Sequence, residues 1–156
     1  MSKSLKRVIA ALQNAGIDNE VMKMAGETRT AEAAAREADC EIDQIAKSII
    51  FRGETSGNVV LFITAGGNQV DPARAAEVAG EPLNRADAAF VRQVTGFAIG
   101  GVAPVGHLTD PRVFFDPRLL EFEVVYAAAG TPRHIFRVNP CDLLNISSAV
   151  SSTFTG

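Results

Sequence analysis

One lysine stands among apolar residues in a segment with the composition of a β-strand. Residues 44–52 are rich in β-branched and aromatic side chains, and the alternation along a strand places Lys47 on the same face as Ile45, Ile49 and Phe51. Burying an ammonium group without a partner is costly. Either the lysine stem reaches past its apolar neighbours to water at the sheet edge, or Lys47 lines a pocket that needs a cation. The spacing alone leaves both interpretations open.

A second candidate is the segment from Gly100 to His107, which reads GGVAPVGH. Its glycines let the main chain approach a ligand closely, and Pro104 stiffens the turn. Such a loop can present backbone N–H groups to an anion or to an oxygen that develops negative charge. The segment lacks the G-x-G-x-x-G spacing of dinucleotide-binding loops. A plain tight connection would explain the same glycines, so this alternative also stays open.

The histidines do not form a recognisable metal site or catalytic triad. His107 and His134 are the two histidines of the chain, and neither H-x-x-x-H nor H-x-H spacing occurs. His107 is therefore expected to be structural or to contact substrate. The G-x-S-x-G pattern of serine hydrolases is also absent. If the protein is a hydrolase, water or the substrate itself must supply the nucleophile.

Helical and strand patterns alternate along the chain. The predicted helices span residues 4–15, 30–38, 71–78, 87–94 and 141–146, and the predicted strands span residues 19–24, 44–52, 58–65, 113–115, 123–128 and 133–138. Thr30 is predicted to be a helix N-cap. This alternation predicts the α/β class, with a single domain in which a mixed sheet is flanked by helices. The domain is predicted to cover residues 1–148, and the small, polar residues 149–156 to form a flexible tail.

Composition narrows the range of partners. The chain has 156 residues, of which 47% are hydrophobic, and a formal net charge of −3. The acidic balance argues against wrapping duplex nucleic acid, because affinity there comes mainly from neutralising phosphates, so no DNA partner is expected. The same net charge is compatible with contact to a short single-stranded end of a nucleic acid. No apolar run approaches the roughly 20 residues needed to cross a bilayer, so we expect a cytoplasmic protein without a membrane partner.

Three motifs together resemble a known family. They are Ala46-Lys47-Ser48, the loop Gly100–Pro104 followed by Gly106-His107, and Gly130-Thr131-Pro132. Their order and spacing are similar to those of the YbaK/aminoacyl-tRNA synthetase-associated domain family, which comprises the editing domains of bacterial prolyl-tRNA synthetases and their free-standing relatives. The likeness covers nearly the whole chain. It implies a mixed, partly barrel-like β-sheet flanked by helices.

The resemblance implies a trans-acting deacylase that hydrolyses the ester of a tRNA, most simply tRNA(Pro), mischarged with a small amino acid. The 3′ end of aminoacyl-tRNA would be its partner, delivered in some cases by an aminoacyl-tRNA synthetase, and no cofactor or metal is implied. A non-catalytic module that binds tRNA ends or a synthetase, and a hydrolase of small esters, are the alternatives.

The family likeness also assigns roles to residues. Backbone amides around Gly100, Gly101 and Val102 would stabilise the carbonyl oxygen, and Lys47 would fix the terminal phosphate or ribose. Thr30 is expected at the pocket rim as an N-cap. The expected substrate-binding residues are Thr30, Ile49, Pro104, His107, Gly130, Thr131 and His134.

Overall fold

Helices and strands are interspersed along the whole chain in the computed structural model, which describes residues 2–17 and 20–156. The helices are α1 (Lys3–Asn14), α2 (Ala31–Ala38), α3 (Pro72–Ala79), α4 (Ala88–Thr95) and α5 (Pro140–Ile146). The strands are β1 (Glu20–Lys23), β2 (Ala46–Gly53), β3 (Val59–Ala65), β4 (Leu83–Arg85), β5 (Arg112–Phe115), β6 (Val125–Thr131), β7 (His134–Val138) and β8 (Val150–Ser151). Short 3-10 helices occupy Ile42–Gln44 and Pro117–Glu121. The predicted start of β1 at Asn19 lies outside the described residues.

Side-chain caps explain where four of the helices begin. The Thr30 hydroxyl accepts a hydrogen bond from the amide of Ala33, as the sequence predicts. Asp71, Asp87 and Asn139 accept similar bonds at the starts of α3, α4 and α5. Such caps satisfy backbone amides that have no partner inside the helix. The predicted helices are therefore confirmed to within a few residues.

The strands form two sheets. One has three strands in the order β1-β7-β6, and the other has five in the order β4-β2-β3-β5-β8. In the larger sheet β2 pairs antiparallel with β3 and β4, whereas β3 pairs parallel with β5 and β5 with β8. This confirms a mixed α/β single domain. The apolar strand β3 lies at the centre of its sheet and is buried along its whole length.

The barrel-like part of the prediction is wrong. The sheets do not close on each other. Within the described residues, an isolated bridge links Ile45, just before β2, to Tyr126 in β6 of the other sheet. Strand β4 is short and pairs only with the last residues of β2. The first part of β2 consequently has a free edge.

Two hydrophobic clusters pack against opposite faces of the five-stranded sheet. The larger lies between the two sheets and under α1, where Val8 and Leu12 are fully buried. The smaller lies between the sheet and α3 and is centred on Phe62. Burial of this much apolar surface is the main stabilising contribution to such a domain.

The C-terminal residues are part of the fold, so the prediction of a flexible tail for residues 149–156 is wrong. Strand β8 pairs with β5, and the amide of Asp71 donates a hydrogen bond to the Phe154 carbonyl at 2.8 Å. The Phe154 side chain is fully buried, with its ring centroid 4.8 Å from that of Phe62. Burial of this aromatic ring holds the segment on the domain although its neighbours in sequence are small and polar.

Candidate active site

The free edge of β2 borders a large cleft. Strand β2 pairs with β3 throughout but with β4 only from Phe51 to Gly53, so within the described residues the other edge of 46–50 has no strand partner. Strand β6 lies across the gap. The cleft has a volume of about 610 Å³, which falls in the range of small-molecule sites.

Several parts of the chain line the cleft. The main ones are the start of α2 with the residues before it, the free edge of β2, residues Arg85 and Ala86, the turn around Gly100, and the middle of β6. The lining includes Arg29, Thr30, Glu32, Ala46, Lys47, Ser48, Ile49, Ile50, Arg85, Gly100, Val102, Tyr126, Ala127 and Ala128. The structure thus brings Lys47 and the Gly100 turn to one cavity although they are far apart in sequence.

Lys47 is partly buried and lines this cleft. Its Nζ donates a hydrogen bond to the carbonyl of Gly66 at 3.3 Å. Burial lowers the pKa of Lys47, and the carboxylates of Glu32, Asp116 and Asp43 act in the opposite direction. The ammonium group is therefore not in bulk water, and no carboxylate of the described residues forms a salt bridge with it. Its position at a cleft wall favours the second interpretation of the sequence, a cation that a pocket needs.

A buried acidic support orients the lysine. Its acceptor, Gly66, lies in the turn of residues 65–68. Asp116 is 2% exposed and accepts two hydrogen bonds from this turn, at 2.9 and 3.1 Å. Asp43 accepts a third, from a backbone amide at 2.8 Å. These carboxylates fix the turn and thereby the direction in which Lys47 points.

The Gly100 turn is a reverse turn whose tip faces the cleft. The amide of Gly101 donates to the carbonyl of Ala98 at 3.0 Å. Gly100, the third residue of the turn, has a φ of +89°, as type II turns require. The amide of Gly101 is therefore used inside the turn. Within the described residues the amides of Gly100 and Val102 have no hydrogen-bond partner, and both residues line the cleft.

The back of this turn rests on the β6–β7 hairpin. A side chain on Gly101 would place its Cβ 3.0 Å from the backbone of Thr131, so the glycine permits this close approach. The Thr131 hydroxyl lies 2.6 Å from Nδ1 of His134 and accepts bonds from two backbone amides. Burial, followed by the nearby Lys23, lowers the pKa of His134. Thr131 thus supports the turn from behind and is held by His134, whereas Gly130 lies against Ser4 and Phe97.

Charge in the cleft is predominantly positive although the protein is acidic. The described side chains that line it include Arg29, Lys47 and Arg85 and one carboxylate, that of Glu32. Arg29 pairs with Glu27 at 3.2 Å, but both side chains are about half exposed, 55% and 53%. Such exposed pairs are weak and give way to a better partner. The cleft therefore suits a ligand that carries negative charge near the rim.

Pro104 and His107 lie in a different place from the one predicted. They line a second cavity of about 350 Å³, between the Pro104–His107 segment, α1 and the end of α5. The His107 ring lies 2.6 Å from the Ala103 carbonyl through Nε2, and its centroid is 5.2 Å from that of Phe97. We attribute to His107 the structural role that the sequence left open. The segment turns away from the cleft after Val102.

Burial makes His107 a source of pH-dependent stability. Burial lowers the pKa of His107 below its usual 6.5. The Ala103 carbonyl and Asp110 oppose this shift, and Arg7 adds to it. His107 therefore binds a proton more readily in the unfolded chain than in the folded one. Its contribution to the free energy of unfolding is present above about pH 6.5 and is lost as the pH falls through the pKa of the folded state. We expect the free energy of unfolding in urea to decrease from pH 7.5 to 5.5, and to decrease less in His107→Gln.

His134→Gln is the matched control for this prediction, because His134 is less buried and its pKa shifts in the same direction. It should keep most of the pH dependence. An equal loss of stability on acidification in the wild type and in His107→Gln would contradict the assignment.

The cleft holds some of the predicted residues and several that were not predicted. Thr30, Lys47, Ile49, Gly100 and Val102 line it, whereas Gly101, Pro104, His107, Gly130, Thr131 and His134 do not. Arg29, Arg85 and Tyr126 also line the cleft although no sequence pattern indicated them, and Ser48 was part of a motif but had no predicted role. The unpaired edge of β2 brings these residues together, and no local pattern reports an unpaired edge.

No group of three or more histidine, cysteine, aspartate or glutamate side chains among residues 2–17 and 20–156 is arranged to hold a metal ion. In the same part of the chain, none of the helices combines the length and the apolar character that crossing a bilayer demands.

The fold and cleft define a class: a mixed α/β domain with one large, cationic site between a strand edge and a glycine turn. Comparison with known proteins then gives the family. The family model for the aminoacyl-tRNA editing domain matches residues 25–146. The chain is also 31% identical over 144 residues to the uncharacterized protein YwhH of Bacillus subtilis (strain 168), covering 92% of this chain and 91% of YwhH. The chain belongs to the aminoacyl-tRNA editing domain family.

Solved structures share the whole fold. One described as "a putative trans-editing enzyme for prolyl tRNA synthetase" is 41% identical, has a TM-score of 0.92 and covers 100% of this chain and 99% of its own. The hypothetical protein APE2540 is 25% identical with a TM-score of 0.88, covering 96% of this chain and 99% of its own. The likeness therefore includes both sheets and all the elements that form the cleft.

Proposed function

We propose that this protein is a trans-acting deacylase that hydrolyses the ester between a small, wrong amino acid and the 3′-terminal ribose of tRNA. Membership of the aminoacyl-tRNA editing domain family supports the editing role. The 41% identity to the protein described as a trans-editing enzyme for prolyl-tRNA synthetase favours tRNA(Pro) as the substrate. The observation that carries the proposal is the single cleft that combines Lys47 with two unpaired amides, those of Gly100 and Val102.

The reaction needs no side-chain nucleophile. Among the described residues the cleft lining contains no histidine or cysteine, and the Ser48 hydroxyl in it makes no hydrogen bond to a base that could activate it. A water oxygen forms a bond to the ester carbonyl carbon, and the bond from that carbon to the ribose oxygen breaks. The proton of the water passes to the departing ribose oxygen, directly or through the neighbouring ribose hydroxyl. The products are the free amino acid and uncharged tRNA.

The two amides stabilise the charge that develops on the carbonyl oxygen. Donors aimed at a developing oxyanion in a site shielded from water act on the transition state more than on the ground state. Gly100 and Val102 supply these donors, and Gly101 holds the turn in shape by its bond to Ala98. Losing one such donor typically slows hydrolysis by about 10²–10³-fold.

The cations position the nucleic acid. Lys47 contacts the terminal ribose or phosphate, and Arg29 and Arg85 at the rim contact phosphates of the single-stranded end. With a net charge of −3 the rest of the surface adds little attraction. Affinity for tRNA alone is therefore modest, and delivery by a synthetase would raise it.

The experiment is a deacylation panel. Purified protein is mixed with tRNA(Pro) charged with proline, alanine, serine, cysteine or threonine, and the remaining ester is measured over time. We expect rapid loss of at least one small mismatched ester and little loss of prolyl-tRNA(Pro). Binding of all esters without hydrolysis would contradict the proposal and indicate a non-catalytic tRNA-end module. Equally fast cleavage of simple p-nitrophenyl esters would indicate a general esterase.

A further inference from the structure

One hydroxyl group in the cleft has no hydrogen-bond partner. Among the described residues, the buried side-chain polar atoms that lack one are Oγ of Ser48 and Nδ1 of His107. His107 lies in the second cavity, whereas Ser48 lines the main cleft. A buried hydroxyl that makes no hydrogen bond costs stability, so its retention needs a compensating partner. A ligand that enters the cleft can provide one.

The surroundings of Ser48 are otherwise apolar. Along β2 its face is shared with Ala46 and Ile50, which pack against the main hydrophobic cluster, and its partner on β3 is the fully buried Ile63. Ala127 of β6 completes this wall of the cleft. The Ser48 hydroxyl thus lies on an apolar part of the cleft wall, where a hydrogen bond to a ligand is strong because water does not compete.

An ester bound as proposed would point its amino-acid side chain toward Ser48. Val102, which supplies one of the two unpaired amides, packs against the same main cluster as Ala46 and Ile50. Lys47 points from the other face of the strand. An ester whose carbonyl is held by the Gly100 turn and whose ribose lies near Lys47 therefore extends its side chain along the Ser48 wall.

The hydroxyl can reach such a ligand without losing a bond. The Ser48 residue as a whole is only partly buried and lines the cleft, although its Oγ is covered. Rotation about the Cα–Cβ bond moves Oγ between staggered positions, and no existing hydrogen bond opposes this rotation.

We propose that Ser48 is a specificity-determining residue that selects an aminoacyl group with a small, hydrogen-bonding side chain, seryl over alanyl. This inference rests on the proposed function, because it assumes that an aminoacyl ester occupies the cleft. Ser48 donates to or accepts from the substrate hydroxyl. An alanyl group leaves the Ser48 hydroxyl unsatisfied, and this difference between the two ligands is the source of selectivity.

The test uses stable amide analogues, so that it does not depend on hydrolysis. The dissociation constants of 3′-deoxy-3′-(L-seryl)amino-adenosine and its alanyl counterpart are measured by calorimetry for the wild type, Ser48→Ala and Ser48→Thr. We expect the wild type to prefer the seryl analogue about tenfold, as one buried hydrogen bond allows. Ser48→Ala should abolish the preference while alanyl binding changes less than about threefold, and Ser48→Thr should restore part of it.

Ser147→Ala is the matched control, because the Ser147 hydroxyl donates to the Leu143 carbonyl at 2.7 Å and does not line the cleft. It should leave the ratio of dissociation constants unchanged. Equal weakening of both analogues in Ser48→Ala would overturn the inference, since it would indicate contact with the α-amino group. An unchanged ratio in Ser48→Ala would overturn it as well.

Failure of the proposed function gives a different result. If the wild type hydrolyses no ester in the deacylation panel yet prefers the seryl analogue through Ser48, hydrolysis is refuted and the role of Ser48 stands. If hydrolysis occurs but the ratio of dissociation constants does not depend on Ser48, the deacylase proposal stands and this inference falls.

Discussion

Replacing Lys47 by alanine is expected to lower kcat/KM for deacylation by about a hundredfold while leaving the fold intact, because misplacing the reacting ester costs on that order. The lysine is the cation on the cleft wall that is fixed in direction, through its bond to the Gly66 carbonyl. Lys47→Met keeps an apolar stem without the charge and should show a similar loss. Lys47→Arg should retain part of the activity, because its planar group does not match the geometry of the ammonium.

Arg52→Ala provides the control for the Lys47 variants. Arg52 is a cation on the same strand, but its guanidinium carbon lies 4.5 Å from the Phe90 ring centroid and it does not line the cleft. Its loss should change kcat/KM less than about twofold, because the cation–π contact with Phe90 affects the stability of the fold and not the binding of substrate in the cleft. Wild-type rates in Lys47→Ala, with thermal unfolding also unchanged, would refute the role of the lysine.

Gly100→Ala is expected to lower kcat about ten- to a hundredfold with little change in KM. At a φ of +89° an alanine is strained by about 1–2 kcal/mol, so the turn relaxes and the amides of Gly100 and Val102 move off the carbonyl oxygen. The added Cβ also meets the flexible Arg29 side chain at 3.0 Å, which can shift. Initial rates over a range of charged-tRNA concentrations separate kcat from KM.

Gly80→Ala imposes the same kind of backbone strain away from the cleft. Gly80 ends α3 with a φ of +79°, and an added Cβ would meet no atom within 4 Å. The two variants should lose similar thermal stability, but only Gly100→Ala should lose activity. Equal kcat values for Gly100→Ala and the wild type would show that the turn does not supply the oxyanion donors.

Local signals account for the part of the fold that the sequence predicts. Helices α2, α3 and α5 begin at Thr30, Asp71 and Asn139, each of which caps its helix through its own side chain. The hairpin of β2 and β3 follows from alternating and continuous apolar runs joined by a polar turn. In each case the residues that decide the structure are neighbours in sequence, so a pattern can reveal them.

Long-range pairing accounts for what the sequence did not predict. Strand β4 is only three residues long, and β8 is paired with β5 by contacts between distant segments. Phe154 has polar neighbours in sequence, yet it is buried against Phe62. The two sheets do not close on each other, and β4 pairs with only three residues of β2. None of these features leaves a periodic signal.

The candidate site likewise contains residues that local sequence signals indicate and residues that only the folded structure brings to attention. Lys47 stands out because a charge on an apolar strand face is unusual, and the Gly100 turn because of its glycines. Ser48, which the motif included without a role, became informative only when its hydroxyl was found without a partner. His107 follows the glycine turn in sequence but lies in the second cavity, because the chain changes direction after Val102. Proximity in sequence was a poor guide there.

In the proposed reaction an aminoacyl ester occupies the space between the free edge of β2 and the reverse turn opposite it. A crystal structure with a non-hydrolysable aminoacyl-adenosine amide tests this most directly. We expect the amide oxygen about 3 Å from the backbone nitrogen of Gly100 or Val102, with the ribose beside Lys47. Ligand density confined to the second cavity beside His107, with the main cleft empty at saturating ligand, would contradict it.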